Sequence, residues 1–378
     1  MTDERGPSVL LDATPIPADR GGVGRSVDEL VPALLRAGVD LTVVCRPGDV
    51  ELFAAAGART IAAPGTAGSV AKRMLWEQFV LPRVARRARA DVIHSVHYTF
   101  PLLTRRRRTV SVYDLTFFSH PELHSRVKVH FFRTWIRLTK LFGAVVVTPS
   151  RATADEYQAE TGADGANVFV AWLGFDGERF HRPTEREVAD FRAALGSAPD
   201  TWIAFLGTLE PRKNVPALID AYRAVAANRA NAPALLLAGG RGWDDAVDPA
   251  IDRAIADGRD VRRLGYLDLD QLSAFLGAAE VVAYPSLGEG FGLPVLEAMA
   301  TGACVLTTRE LSLPEVGGDA VAYTDTTVRG ITAALDELLA DPDRRAELGR
   351  RAVERAASFT WDACAETHIA AYARAAGA

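Results

Sequence analysis

Two glutamates eight residues apart frame a glycine-rich stretch, Tyr284-Pro-Ser-Leu-Gly-Glu-Gly-Phe-Gly-Leu-Pro-Val-Leu-Glu-Ala-Met-Ala300. Glu289 lies in the glycine turn, and Glu297 falls about one turn inside the helix that the following residues predict, with Pro294 as its first residue. Between them the amides of Phe291, Gly292 and Leu293 lead into a helix N-terminus, an arrangement that attracts anions. A carboxylate accepts two hydroxyl hydrogen bonds well. The order carboxylate, anion pocket, carboxylate therefore matches a ligand ordered polyol, diphosphate, polyol, as in a nucleoside diphosphate sugar. Ser286 and Gly290 belong to the same candidate pocket. Strand, glycine turn and helix also recur throughout α/β proteins, so the spacing alone leaves a purely structural reading open.

Other strand ends add chemistry. Gly207-Thr-Leu-Glu-Pro-Arg-Lys-Asn214 places Arg212 and Lys213 after an apolar run and before a helix that Asn214 is expected to cap. A guanidinium fork beside a point-charge ammonium suits a diphosphate, and a solvated loop pair is the alternative. Ala238-Gly-Gly-Arg-Gly-Trp243 and Gly265-Tyr-Leu-Asp-Leu-Asp270 end two further runs, and Gly239, Tyr266 and Leu267 there fit the lining of a nucleobase pocket. Asp268 and Asp270 have metal-binding spacing, but Asp270 is better read as the cap of a helix over 271–278. Tyr113-Asp114 closes a strand at the end where open α/β sheets carry ligands. Pro121 between His120 and His124 argues against their sharing a helix face as metal ligands. Near the N-terminus, Asp19-Arg-Gly-Gly-Val-Gly-Arg25 offers a tight turn or, through Gly22, a phosphate contact.

These positions need a scaffold. Apolar runs at 7–13, 39–45, 91–94, 109–113, 144–148 and 167–172 alternate with helical stretches, among them 26–37 and a long basic one over 69–90 interrupted at Pro82. A polar segment with Pro183 and Pro199 separates these from a second series at 202–206, 234–238, 261–265, 281–284, 304–307 and 320–323, followed by helices over 328–339, 342–357 and 360–375. Alternation of this kind predicts two α/β domains with parallel sheets.

Composition sets the outer bounds. A chain of 378 residues is sized for about two domains. A net charge of −5 argues against a general nucleic-acid binder. Cys45, Cys304 and Cys364 have no ligand or disulfide spacing and read as core residues. No apolar signal region or 18-residue apolar run occurs, so a cytoplasmic protein is expected. Basic residues crowd 72–89 and 105–108. They read as solvated faces or as a peripheral contact with anionic membrane at the inner face of the cell membrane.

Taken together, Gly21-Gly-Val-Gly-Arg25, Gly207 to Asn214, Gly265-Tyr-Leu, the Glu289–Glu297 block and Ser312-Leu-Pro-Glu-Val-Gly-Gly-Asp-Ala320 resemble the retaining GT-B glycosyltransferases of family 4. The similarity is strongest to bacterial mannosyltransferase-like members. The resemblance implies two Rossmann-like domains facing across a cleft. An acceptor-side domain would span 1–178, completed by a C-terminal helix within 358–378, and a donor-binding domain 179–357. It implies hexosyl transfer, mannose from GDP-mannose first, to a glycan or lipid-linked hydroxyl, with no metal or other cofactor beyond the nucleotide-sugar co-substrate. Glu289 would contact the donor sugar and Glu297 the ribose. Arg212 and Lys213 would neutralise the diphosphate, helped by Gly22 and Gly207, with Asp114 and Tyr113 beside the reacting centre. Two positions depart from the family: Thr208 stands where Arg is frequent, and Tyr113 where His is frequent. A glycoside hydrolase or phosphorylase using Glu289 and Glu297 as acid and base about 5–10 Å apart, and a catalytically inactive nucleotide-sugar-binding protein, are the alternatives.

Overall fold

The computed structural model describes residues 6–18, 20–65, 69–197 and 199–377. Two units divide the chain: one holds residues up to Gly174 together with those from Thr360, and the other Phe175–Phe359.

The first unit runs β1 (Val9–Asp12), α1 (Gly21–Arg36), β2 (Leu41–Cys45), α2 (Val50–Ala55), β3 (Arg59–Ala62), α3 (Val70–Phe79), α4 (Leu81–Arg87), β4 (Val92–Ser95), β5 (Arg107–Ser111), α5 (Thr116–Ser119), α6 (Arg126–Leu141), β6 (Val145–Thr148), α7 (Arg151–Thr161) and β7 (Val168–Val170). Its sheet is parallel in the order β3-β2-β1-β4-β5-β6-β7, with Leu11 opposite both Val43 and His94. The central strands β1, β2 and β4 are buried throughout, as a sheet covered on both faces requires, whereas the edge strand β3 is half-buried. No helix among the described residues is long and apolar enough to cross a membrane.

Several boundaries depart from the sequence reading. Helix α1 begins at Gly21 rather than Ser26, so Gly22 and Gly24 lie in its first turns instead of in a loop; Asp19 lies outside the described residues. Ser26 supports this early start by donating to the Gly22 carbonyl at 2.9 Å. Gly24 is small because a Cβ would come within 2.9 Å of Ile16. The far end is as expected: Gly38 has φ +80°, and Gly38 and Val39 donate to Leu35 and Leu34 in a Schellman closure. The basic helix breaks at Val80, and Pro82 becomes the second residue of α4. Strand β5 ends at Ser111, which puts Tyr113 and Asp114 in the loop beyond it.

The C-terminal helix α16 (Trp361–Ala376) returns to the first unit and packs on β4, β5, β6 and β7 as well as α1. Gly174 meets it so closely that a Cβ would lie 2.3 Å from the Trp361 amide nitrogen. The contact is polar at its centre. His94 Nε2 lies 2.9 Å from the Ser111 hydroxyl and its Nδ1 2.8 Å from the Tyr372 hydroxyl, and His368 Nδ1 lies 2.8 Å from the Cys364 carbonyl oxygen.

Burial, with His368 adding to it, holds His94 well below its ordinary value, and burial brings His368 down to about 4. Both are therefore neutral in the folded protein at pH 7. The unfolded chain binds protons from about pH 6.5 downward, so the stability these groups contribute is complete above that pH and is lost as pH falls towards 4. The melting temperature is expected to fall between pH 7 and pH 5, and His368→Gln to flatten that slope. Burial raises Asp12 and Glu77, which act in the opposite sense and cancel in the comparison. Circular dichroism melts checks this, and identical slopes in both proteins would contradict it.

The second unit runs α8 (Glu185–Ala194), β8 (Trp202–Leu206), α9 (Val215–Ala227), β9 (Ala234–Ala238), α10 (Val247–Ala256), β10 (Val261–Gly265), α11 (Leu272–Gly277), β11 (Val281–Tyr284), α12 (Leu293–Ala300), β12 (Val305–Thr308), α13 (Leu313–Gly317), β13 (Ala322–Thr324), α14 (Val328–Ala340) and α15 (Pro342–Ala356). Its parallel sheet has the order β10-β9-β8-β11-β12-β13. The connection reverses direction between β8 and β11, so the loops after these two strands flank the topological switch point. Phe359 stays with this unit, its ring 6.0 Å from that of Phe291.

Candidate functional site

The loops after β8 and β11 bring Arg212, Lys213 and Glu289 together. Glu289 Oε1 accepts from Lys213 Nζ at 2.7 Å and from Ser286 Oγ at 2.9 Å, while Oε2 pairs with the Arg212 guanidinium. Lys213 and Glu289 are each 6% exposed, and Arg212 is half-buried. Burial opposes the charge on Glu289, but Arg212 and then Lys213 outweigh it and bring its carboxyl down to about 2. Glu289 is therefore ionised throughout the physiological range. Burial lowers the Lys213 pKa, and Glu289 restores part of the loss.

Each cation has a second anchor. Arg212 donates to the Gly288 carbonyl and to Glu210 Oε1, both at 2.7 Å. Lys213 bonds the Tyr284 hydroxyl and stands 4.8 Å from that ring's centroid. Burial and then the Glu289 charge raise Tyr284, so its hydroxyl stays protonated. Three donors already converge on Glu289. Any further hydroxyl donor to Glu289 would have to join that set or displace one of the cations, out of about four lone-pair positions.

The loops are themselves held by short polar contacts. Leu287 donates its amide to the Arg212 carbonyl at 2.8 Å. Thr308 donates to the Ser286 carbonyl at 2.7 Å, and Ser312 Oγ lies 2.7 and 2.8 Å from the carbonyl oxygens of Glu289 and Phe291. Asn214 precedes α9 as expected but does not cap it with its side chain. It sits at φ +57°, a left-handed conformation Asn tolerates, and its amide donates to the Pro285 and Thr326 carbonyls at 3.2 and 2.9 Å. Asn214 thus ties three loops together.

Helix α12 starts at Leu293, one residue before the sequence reading placed it, so Pro294 is its second residue. Gly292 precedes it at φ +101°, where a Cβ would also meet Leu313 at 2.9 Å. Glu297 lies on α12 and is buried, as are Phe291 and Leu293 at its start.

The neighbouring strand ends are knit backbone to backbone. Gly207 donates to the Ala238 carbonyl at 2.9 Å and Gly239 to the Gly265 carbonyl at 2.7 Å. Gly239, at φ +123°, passes so near Gly207 that a Cβ would lie 2.3 Å from its carbonyl oxygen. Its glycine is therefore explained by this crossing. Tyr266 is 74% exposed and lies across Gly240, while Leu267 beside it is half-buried. Asp268, not Asp270, forms a reciprocal capping box, with Gln271.

The remaining predicted residues belong to the first unit. Gly22 is exposed on the first turn of α1. Asp114 Oδ1 accepts from the Thr116 amide at 3.1 Å and its hydroxyl at 2.8 Å, an Asx turn that starts α5. Tyr113 is half-buried, and burial, with Cys364 adding to it, raises its phenol. His120 pairs with Glu122 and His124 with the Thr116 hydroxyl, so the two do not converge. No group of three His, Cys, Asp or Glu suited to a metal occurs among the described residues.

Glu210, Tyr284 and Ser312 are site-shaping residues that the sequence reading left without a role. Glu210 stands two positions before Arg212 in the same loop, and Tyr284 is the last residue of a strand at its ligand-bearing end. Those positions were the available signals.

Comparison with known proteins extends this picture. The model of glycosyl transferases group 1 matches residues 188–355, and that of glycosyltransferase family 4 matches residues 20–179. The O-antigen chain mannosyltransferase B of Escherichia coli is 29% identical over 283 residues, covering 74% of this chain and 74% of that protein. The serotype-specific mannosyltransferase WbdA of Escherichia coli is 34% identical over 47% of this chain, which spans only 22% of that relative. Among solved structures, HepE of Anabaena in complex with UDP and glucose superimposes with a TM-score of 0.75 at 18% identity, over 96% of this chain and 98% of that one.

Proposed function

Because the chain belongs to the glycosyltransferases of family 4 type with the GT-B fold, we propose that it moves a hexosyl group, mannose first, from a GDP-sugar to a hydroxyl of a glycan or lipid-linked glycan, with retention of configuration and without a metal ion. The observation that carries this reading is the Arg212–Lys213–Glu289 cluster, with its Lys213–Glu289 pair buried, at the switch point of a domain related to mannosyltransferases. The leaving group is a diphosphate, so the principal task is to stabilise charge growing on its oxygens. Arg212 and Lys213 are placed on one loop to do this, and their desolvation strengthens the interaction. Glu289 keeps both cations charged and oriented until the donor arrives, then offers its carboxylate to the sugar hydroxyls. Glu297 holds the ribose. Asp114, already engaged in ordering α5, and Tyr113, which keeps its proton, act as positioners rather than as bases.

Incubating the protein with GDP-mannose and other nucleotide sugars, with and without EDTA and candidate acceptors, tests the proposal. Release of GDP that requires an acceptor and withstands EDTA is expected, with the product anomer matching the donor by NMR. Activity abolished by EDTA would remove the metal-free mechanism. Tight nucleotide binding without turnover would favour a binding protein, and hydrolysis of glycosides in the absence of nucleotide would favour a hydrolase.

A further inference from the structure

Helix α3 leaves large apolar side chains outside. Its buried side chains are an ion pair, Arg73 at 7% and Glu77 at 0% exposure, whereas Leu75 and Phe79, four residues apart on one face, are 60% and 51% exposed. The inward pair is satisfied internally: Arg73 meets Glu77 at 2.6 Å, and the Thr99 hydroxyl donates to Glu77 at 2.7 Å. Met74 and Trp76 are half-buried and pack against the core, so core packing accounts for the inward residues of this helix and not for Leu75 and Phe79. Leu103, in the loop before β5, is 68% exposed.

A groove of about 650 Å³ joins these two segments, lined among others by Phe79, Arg83, Arg86, Leu103, Arg105 and Arg106. Arg86, Arg105 and Arg106 have no acidic partner among the described residues. Apolar side chains standing outward among unpaired arginines are the pattern of a surface that lies in a lipid interface. The whole chain carries −5, so its net charge gives no general attraction to an anionic bilayer, and a local basic face such as this one must supply it.

We propose that this face docks on anionic phospholipid, with Leu75, Phe79 and Leu103 entering the headgroup boundary and the arginines meeting lipid phosphates. The proposal stands independently of the donor sugar and of the reaction. Its test is co-sedimentation of the full chain with vesicles of phosphatidylcholine alone or with roughly a third phosphatidylglycerol, at low and high salt. Binding is expected to the anionic vesicles only and to be lost at high salt. A variant combining R83Q, R86Q, R105Q and R106Q should bind about a hundredfold more weakly, and one combining L75S, F79S and L103S at least about tenfold more weakly. Every substituted chain lies at the surface or the groove, and unchanged melting temperatures would separate lost docking from unfolding.

Equal binding to both vesicle types, or none to either, would overturn the proposal. So would a concentration-dependent dimer that the apolar variant dissolves in the absence of vesicle binding, since a second copy would then be the occupant. Nucleotide-sugar turnover in solution should be the same in both variants. Its loss in the wild-type protein with docking intact would strike the glycosyltransfer reading alone.

Discussion

Under the proposed function, replacing Glu289 by Gln is expected to reduce kcat for hexosyl transfer by at least about a hundredfold, because the carboxylate would meet the sugar and also keeps two cations in place. The structure adds a second effect. Removing the charge takes one carboxylate from both Arg212 and the buried Lys213, with Glu210 still paired to Arg212, and breaking a buried pair in this way costs about 3–5 kcal/mol. Gln retains an acceptor for Ser286 or Lys213, which puts the loss at the lower end of that range. The two effects separate in a double variant. E289Q combined with Lys213→Met removes one charge of each sign and should recover much of the melting temperature while remaining inactive. Thermal melts and release of nucleoside diphosphate measure both quantities. A single variant within tenfold of wild-type turnover would contradict the assignment, as would a double variant no more stable than E289Q.

Gly239→Ala is the second large effect. A Cβ at this position lies 2.3 Å from the Gly207 carbonyl oxygen, and φ +123° is a conformation that Ala adopts only with strain of about 1–3 kcal/mol. The neighbouring loop must move, and it carries Arg212 and Lys213. Stability is expected to fall by about 3 kcal/mol or more, with a loss of turnover that saturating donor does not restore. A contact made only with the donor would behave differently, raising KM while leaving the melting temperature unchanged. That outcome would return Gly239 to the role the sequence suggested.

Legibility followed burial. Runs such as Ala234–Ala238 and Val281–Tyr284 are covered on both faces, so their apolar character is continuous and marks the strands of the second unit. Arg59–Ala62 is an edge strand with mixed exposure, and its four residues carry no such mark. Gly21, Gly22 and Gly24 read as a loop by propensity, yet a helix can begin on them when α1 packs its later residues. Within the site, residue identities were legible because Glu, Arg and Lys at strand ends are chemically pointed. Their partners were not. Lys213 and Glu289 are far apart in the chain, and only the adjacency of β8 and β11 brings them within 2.7 Å. The role of Asn214 shifted for the same reason, since the carbonyls it holds belong to Pro285 and Thr326.

The return of α16 to the first unit bears on how the protein is made. A ribosome delivers the chain from its N-terminus, and domains ordinarily fold in the order in which they emerge. Here the continuous unit, Phe175–Phe359, has all its residues before Thr360 appears. The unit that starts the chain does not. Until Trp361–Ala376 is synthesised, His94 lacks Tyr372 and the sheet face over β4 to β7 stays uncovered. The second unit can therefore close first, and the first unit completes the cover of its sheet only when α16 emerges.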